Sequence, residues 1–192
     1  MKRSHIAIVS AFFVAFAVKG VSAQYHKQGK GAGIFMANSL LATPSSIHEE
    51  HKHLHHQLDE ALASGGKTGA SAKVVAADAL LPHFEAEEAY AMPPLGLLES
   101  IADGQPLSSK QIDEAIKMAD QLRTNYEQML KEHRQIEAAL KALASAARQE
   151  HKPEALAFAE ALMLHAQNEE QVLYPTTLLI GKYLKLRQAS GQ

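Results

Sequence analysis

The chain has 192 residues, 46% of them hydrophobic, which is enough for one domain with a sizeable core and too apolar for a disordered chain. Charged residues make up 21%, of mixed sign with a formal net charge of −2, which excludes the broad basic surface of a nucleic-acid binder. With no cysteine there is no disulfide, thiol nucleophile or cysteine-linked lipid, and histidine, at 11 copies, is the outlier.

Residues 1–23 read as a secretory signal peptide. Lys2 and Arg3 form a basic start, Ile6 to Val18 a 13-residue apolar run, and Val21-Ser22-Ala23 a small-residue cleavage site. The run is shorter than the roughly 17 to 25 residues of a membrane span, and nothing later in the chain approaches one. Cleavage after Ala23 removes Lys2, Arg3 and Lys19 and no acidic residue, moving the formal charge from −2 to −5. The expected location is periplasmic or secreted, with no membrane attachment once the signal is removed.

Residues 24–45, rich in Gly, Lys, Gln and Ser, show no sustained period and read as a linker or partly ordered arm ending near Pro44. The ordered domain is expected over 46–188. Ser46 and Glu49 have capping-box spacing, and the first helix is predicted to run from there to about Ala63, before Ser64-Gly65-Gly66. The second is expected over about Ser71 to Met92, kinked at Pro82 and closed by Pro93-Pro94. Ser108 or Ser109 caps a long third helix to about Gln149, and the fourth runs from about Pro153 to Tyr174, before Pro175. A short apolar segment, Thr176 to Leu186, is expected to cross one end. No stretch alternates with period two, so the fold class is all-α.

An internal repeat sets the layout. Glu50-His51 recurs as Glu132-His133, and Leu54 and Leu58 are matched by Ile136 and Leu140. His83, Glu87, Glu88 and Pro93 recur as His165, Glu169, Glu170 and Pro175, all displaced by 82. Two helical hairpins related by a pseudo-two-fold axis are implied, forming an up-down four-helix bundle.

The repeat also carries the chemistry. Residues four apart share a helix face, so His51/His55, His83/Glu87, His133/Glu137 and His165/Glu169 each present two donors in one direction. That direction is inward: His133 lies on the stripe of Leu122, Tyr126, Met129, Ile136 and Leu140, and His51 among Ile47, Leu54, Leu58 and Leu62. His165 lies with Phe158, Ala161 and Val172, and His83 with Ala76, Ala79 and Tyr90. Imidazoles and carboxylates buried together are costly unless cations compensate them, and two divalent ions fit the eight donors better than one. Imidazole suits iron, zinc and copper, while carboxylates suit harder ions and bridge them. The mixture favours a two-metal centre such as non-haem iron, with zinc or manganese as alternatives. Without a thiolate the set does not resemble a structural zinc site.

Other readings fit less well. His26, His48, His53, His56 and His151 read as surface or solvating residues, and Glu88 and Glu170 point about 100° away from the donor stripe and rank second. A zincin motif starting at His48 has Lys52 where the second histidine belongs, and the ferritin-like spacing of Glu50 and His53 ends in Gln135 at its repeat.

The strings HEEHKHLHHQL, LLPHFEAEEAYAMPP, KEHRQIEAAL and LMLHAQNEEQVLYP resemble the four helices of the hemerythrin, or HHE cation-binding, family over about Ser46 to Leu186. The resemblance implies a four-helix bundle around an oxygen-bridged pair of iron ions that binds dioxygen reversibly, or senses oxygen, nitric oxide or iron. On it, His51, His83, His133 and His165 are the one histidine per helix and Glu87 is the bridging carboxylate. The chain departs from oxygen carriers in having Glu137 where they place a histidine, in offering both Glu169 and Glu170 on the fourth helix, and in the additional His55. Helical geometry favours Glu169.

Three functions follow as expectations. The first is binding or sensing dioxygen or a related diatomic. The second is a di-iron oxidoreductase acting on ferrous iron, peroxide or nitric oxide. The third is a metal-binding module for iron, zinc or copper without a redox role.

Overall fold

The computed structural model describes residues 39–190, all of whose regular elements are helical. The predicted signal peptide and residues 24–38 of the predicted arm lie outside the described residues. The last part of that arm is packed: Leu41 is buried, and Ser39 Oγ and Leu40 N donate to the Glu114 carboxylate at 2.9 and 3.0 Å.

The elements are α1 (Ser45–Ala63), α2 (Gly66–Val75), α3 (Leu81–Ala86), α4 (Leu98–Ala102), α5 (Ser109–Gln149), α6 (Pro153–Asn168) and α7 (Tyr174–Ala189). Three five-residue π-helical segments interrupt them: Ala76–Leu80 between α2 and α3, Glu87–Ala91 after α3, and Glu169–Leu173 between α6 and α7. A 3-10 turn, Pro93–Leu97, leads into α4. Helix α1 packs on α2 and α6, and α5 packs on α2, α6 and α7, so α1, α2, α5 and α6 close a ring around one interior.

Several boundaries differ from the sequence reading, each for a physical reason. Helix α1 starts one residue early, with the Pro44 carbonyl accepting from the amides of Ile47 and His48, so Ser46 lies inside the first turn and forms no capping box. The box forms instead on α5, where Ser108 Oγ accepts from Gln111 N and the Gln111 side chain accepts from Ser108 N. The fourth helix does not stop at Pro175. The chain passes through the π segment and continues as α7, with Pro175 in its first turn. Helix α7 then lies along α5 instead of crossing an end. Gly181 faces Ala119 so closely that a Cβ would clash there.

The core has two apolar clusters. One contains Leu54, Leu58, Leu80, Phe84, Ile136, Leu140, Phe158 and Leu162; the other contains Leu41, Ile47, Tyr90, Met92, Leu122, Met129, Tyr174, Ile180 and Leu184. On each long stretch a histidine sits at the changeover. His51 lies between Ile47 and Leu54, His83 between Leu80 and Tyr90, His133 between Met129 and Ile136, and His165 between Leu162 and Tyr174. The polar layer therefore crosses the bundle at its waist, sealed on both sides.

At the far end, Glu150 closes the N-terminus of α2, accepting from Lys67 N, Thr68 N and Thr68 Oγ1 at 2.8, 2.9 and 2.8 Å. The Thr68 and Lys67 amides, then the Thr68 hydroxyl, lower its pKa from 4.5 to about 2. A carboxylate with a depressed pKa stabilises the fold above its unfolded value and loses that contribution as pH falls through the folded one. Glu150→Gln should therefore lower the melting temperature at pH 7, and the gap to wild type should narrow as pH falls from about 4.5 towards 2. Thermal unfolding followed by circular dichroism across that range checks it.

Candidate metal centre

Six side chains converge at the waist, all buried: His51, His83, Glu87, His133, His165 and Glu169. They form two overlapping donor groups, His51–Glu87–His165–Glu169 and His83–Glu87–His133–Glu169, in each of which the donor atoms lie within 4.8 Å of one another. Both carboxylates are shared, one oxygen to each side. Glu87 Oε1 lies 3.1 Å from His83 Nε2 and 3.7 Å from His133 Nε2, while Oε2 lies 3.9 Å from His51 Nε2. Glu169 Oε1 lies 3.0 Å from His165 Nε2 and 3.6 Å from His51 Nε2, while Oε2 lies 3.4 Å from His133 Nε2. Two carboxylates spanning two histidine pairs is the arrangement of a doubly bridged two-metal site.

The donor set fits divalent ions on its own chemistry. His51 Nε2, His165 Nε2, Glu87 Oε2 and Glu169 Oε1 are buried and have no hydrogen-bond partner, a costly condition that a cation on that side would relieve. Burial depresses His51 and His133, but Glu169 and the neighbouring carboxylates outweigh it and raise both to about 10. His83 and His165 are raised in the same way, chiefly by Glu87 and Glu169 respectively, against their burial. Burial raises Glu169, yet His133, His165 and His51 hold it well below the usual carboxylate range. Such a site holds positive charge strongly, as protons or as metal.

A second layer of carboxylates fixes the imidazoles. Each histidine turns Nε2 inward and Nδ1 outward onto a glutamate: His51 to Glu88 at 3.2 Å, His83 to Glu132 at 2.8 Å, His133 to Glu170 at 2.9 Å and His165 to Glu50 at 3.2 Å. A carboxylate accepting from Nδ1–H leaves the Nε2 lone pair free for a metal. These four glutamates are themselves related by the 82-residue displacement, Glu50 with Glu132 and Glu88 with Glu170. Sequence reasoning noticed the repetition and missed the role, because they sit beside the donor stripe and reach across to a neighbouring helix. The outward offset of Glu88 and Glu170 is what makes that reach available.

His55 and Glu137 are not brought to the centre. Glu137 points outward and pairs with Lys141 at 2.8 Å. His55 is half-buried with its ring edge-on to Phe84 at 5.3 Å, and Phe84 stands between it and the centre, stacked on His51 at 4.5 Å. One and two turns beyond His51 and His133, the inward positions belong to Leu54 and Leu58 and to Ile136 and Leu140. Burial, then the charge on His51, lower the pKa of His55.

The model of the hemerythrin HHE cation binding domain matches residues 44–177. The chain belongs to the hemerythrin family. No curated protein and no solved structure matches it. The hemerythrin domain thus spans all six converging residues and the four outer glutamates, which agrees with a metal-binding role for the cluster.

One residue at the centre has no counterpart in the sequence reading. Tyr174 is fully buried, its hydroxyl donates to Glu87 Oε1, and the oxygen lies 3.4 Å from His83 Nε2 and 3.2 Å from His133 Nε2. Burial, then the carboxylates of Glu87 and Glu169, push its pKa upward. In an unbroken α-helix, nine positions after His165, it would face about 180° away. The π segment Glu169–Leu173 takes up about one extra residue and rotates the start of α7 by about 100°, so Tyr174 swings inward. Val172, expected inward, is carried out to 50% exposure by the same turn.

Removing an outer carboxylate leaves an imidazole unoriented, a change that typically costs about 10- to 100-fold in metal affinity. Glu88→Ala and Glu132→Ala should each weaken metal binding by about that factor, while Glu137→Ala leaves it unchanged. Competition with a chromophoric chelator measures all three.

Proposed function

We propose that this hemerythrin-family protein holds two iron ions between the histidine pairs His51/His165 and His83/His133, bridged by Glu87 and Glu169, and binds or senses dioxygen or a related diatomic there. The observation that carries this reading is the split of both bridging carboxylates between the two histidine pairs, with four donor atoms on one side buried and unpartnered. The 82-residue displacement relating the two halves of the donor set is what two repeated helical hairpins would give, which supports the reading.

When bound, the iron pair supplies reversible two-electron chemistry towards small oxygen and nitrogen ligands. The chain's own contribution is orientation, exclusion of water and placement of charge. The glutamates on Nδ1 lock each ring, and the apolar clusters above and below keep bulk water from the donors. A cleft of about 320 Å³ lies outside Tyr90, Met129 and Glu132, with Gln128 and Gln135 on its walls. It brings solvent to Glu132, whose other face holds His83.

Protein reconstituted with ferrous iron without oxygen should retain two ions per chain and develop iron charge-transfer absorption on admission of air. Protein that retains no iron and stays colourless would overturn the reading. The carboxylate-rich bridge also suits oxidation or reduction with turnover, since carboxylates favour the more oxidised metal. Consumption of ferrous iron, peroxide or nitric oxide beyond two equivalents per chain would favour that enzyme over a binder.

The basic start, apolar run and Val21-Ser22-Ala23 site support export to the periplasm or beyond. Protein recovered from its native compartment should begin at Gln24 by mass, and an intact Met1 N-terminus there would contradict export.

A further inference from the structure

The two donor sets are nearly equivalent under the 82-residue displacement, which carries His51 onto His133, His83 onto His165 and Glu87 onto Glu169. One buried pair of positions breaks the equivalence. Met92 follows the π segment Glu87–Ala91 as Tyr174 follows Glu169–Leu173, and both side chains are fully buried. One offers a thioether and the other a phenol.

The consequences are visible in the partners of the donor atoms. On the His51/His165 side, two imidazole nitrogens and two carboxylate oxygens have no partner. On the other side the Tyr174 hydroxyl touches His83 Nε2, His133 Nε2 and Glu87 Oε1 together. Two donors about 2.1 Å from one ion at right angles stand about 3 Å apart, close to the 3.2 and 3.4 Å from Tyr174 Oη to the two imidazoles. The phenol is held in that place, its ring near-parallel to His133 at 5.6 Å and edge-on to Tyr126 at 6.2 Å.

We propose that Tyr174 is a direct ligand of the ion held by His83 and His133, which makes the two metals chemically unequal and leaves the His51/His165 ion as the one open to an external molecule. This rests on the two-iron reading above. Coordination exchanges the phenol proton, now donated to Glu87, for the metal bond, so the phenol gives up its proton as that ion binds, beyond the protons that His83 and His133 give up to bind it. Glu87 Oε1 then faces the ion in place of the phenol. On the unpartnered side Phe84 stacks on His51, and among the described residues the donors that converge there are His51, His165, Glu87 and Glu169.

The test uses the full mature chain loaded with ferric iron, with iron content measured first. Two ions per chain, together with visible phenolate-to-iron absorption and resonance-enhanced tyrosine ring vibrations, are expected. In Tyr174→Phe that absorption and those vibrations should disappear while both ions remain, and in Tyr90→Phe and Tyr126→Phe they should persist. Azide, as a small anionic probe, should add its own absorption to wild type without removing the phenolate signature. Two bound ions with no phenolate signature in wild type would overturn the assignment and leave the two-iron reading intact, and so would a signature that survives Tyr174→Phe or is displaced by azide. A wild-type chain that binds no iron would overturn both. The wild-type vibrational spectrum decides the matter even where the Phe variant does not fold.

Discussion

The rest of the structure depends on the burial of six ionisable side chains in one layer. Four imidazoles and two carboxylates lie at 4% exposure or less at the waist of a helical bundle, where an uncompensated charge costs several kcal/mol. Three features offset that cost. Charge within the layer is paired, an outer glutamate lies against every Nδ1, and the unpartnered atoms are grouped on one side, where a cation would satisfy them together. Apolar clusters on either side are as necessary as the donors, because they hold the helices at the spacing that lets four Nε2 atoms face one another.

The π segments are the second constraint. Two of the three begin at a shared carboxylate, Glu87 or Glu169, and each of these two resets the face that the following residues present. This is how Tyr174, which follows the segment Glu169–Leu173, comes to face His83, His133 and Glu87. Thr177, whose hydroxyl donates to the Ala91 carbonyl at 2.6 Å, ties the end of one π segment to the helix that follows the other. The irregular backbone is thus braced at the point where it serves the site.

Much of this was legible in the residues. The 82-residue repeat, the apolar neighbours of each histidine and the i, i+4 carboxylates identified six of the converging side chains, since helical periodicity governs them directly. His55 and Glu137 satisfied the same spacing and lie elsewhere. Spacing places a residue within about 40° of its partner's direction, and packing of Phe84, Leu54 and Ile136 decides which side of that margin faces in. Tyr174 was invisible for a different reason: no local propensity announces a π segment, and one extra residue in the helix moves every later side chain by about 100°. The outer glutamates lay between these cases, marked by their repetition and obscured because their partners are on other helices.

The central claim is that this layer holds two metal ions sharing two carboxylates. Anomalous diffraction from crystals of the iron-loaded protein tests it most directly. The account predicts two peaks about 3.5 to 4 Å apart, one adjoining the Nε2 atoms of His51 and His165 and the other those of His83 and His133, with Glu87 and Glu169 spanning both. A single peak, or iron bound elsewhere with the four imidazoles still held by carboxylates alone, would contradict it.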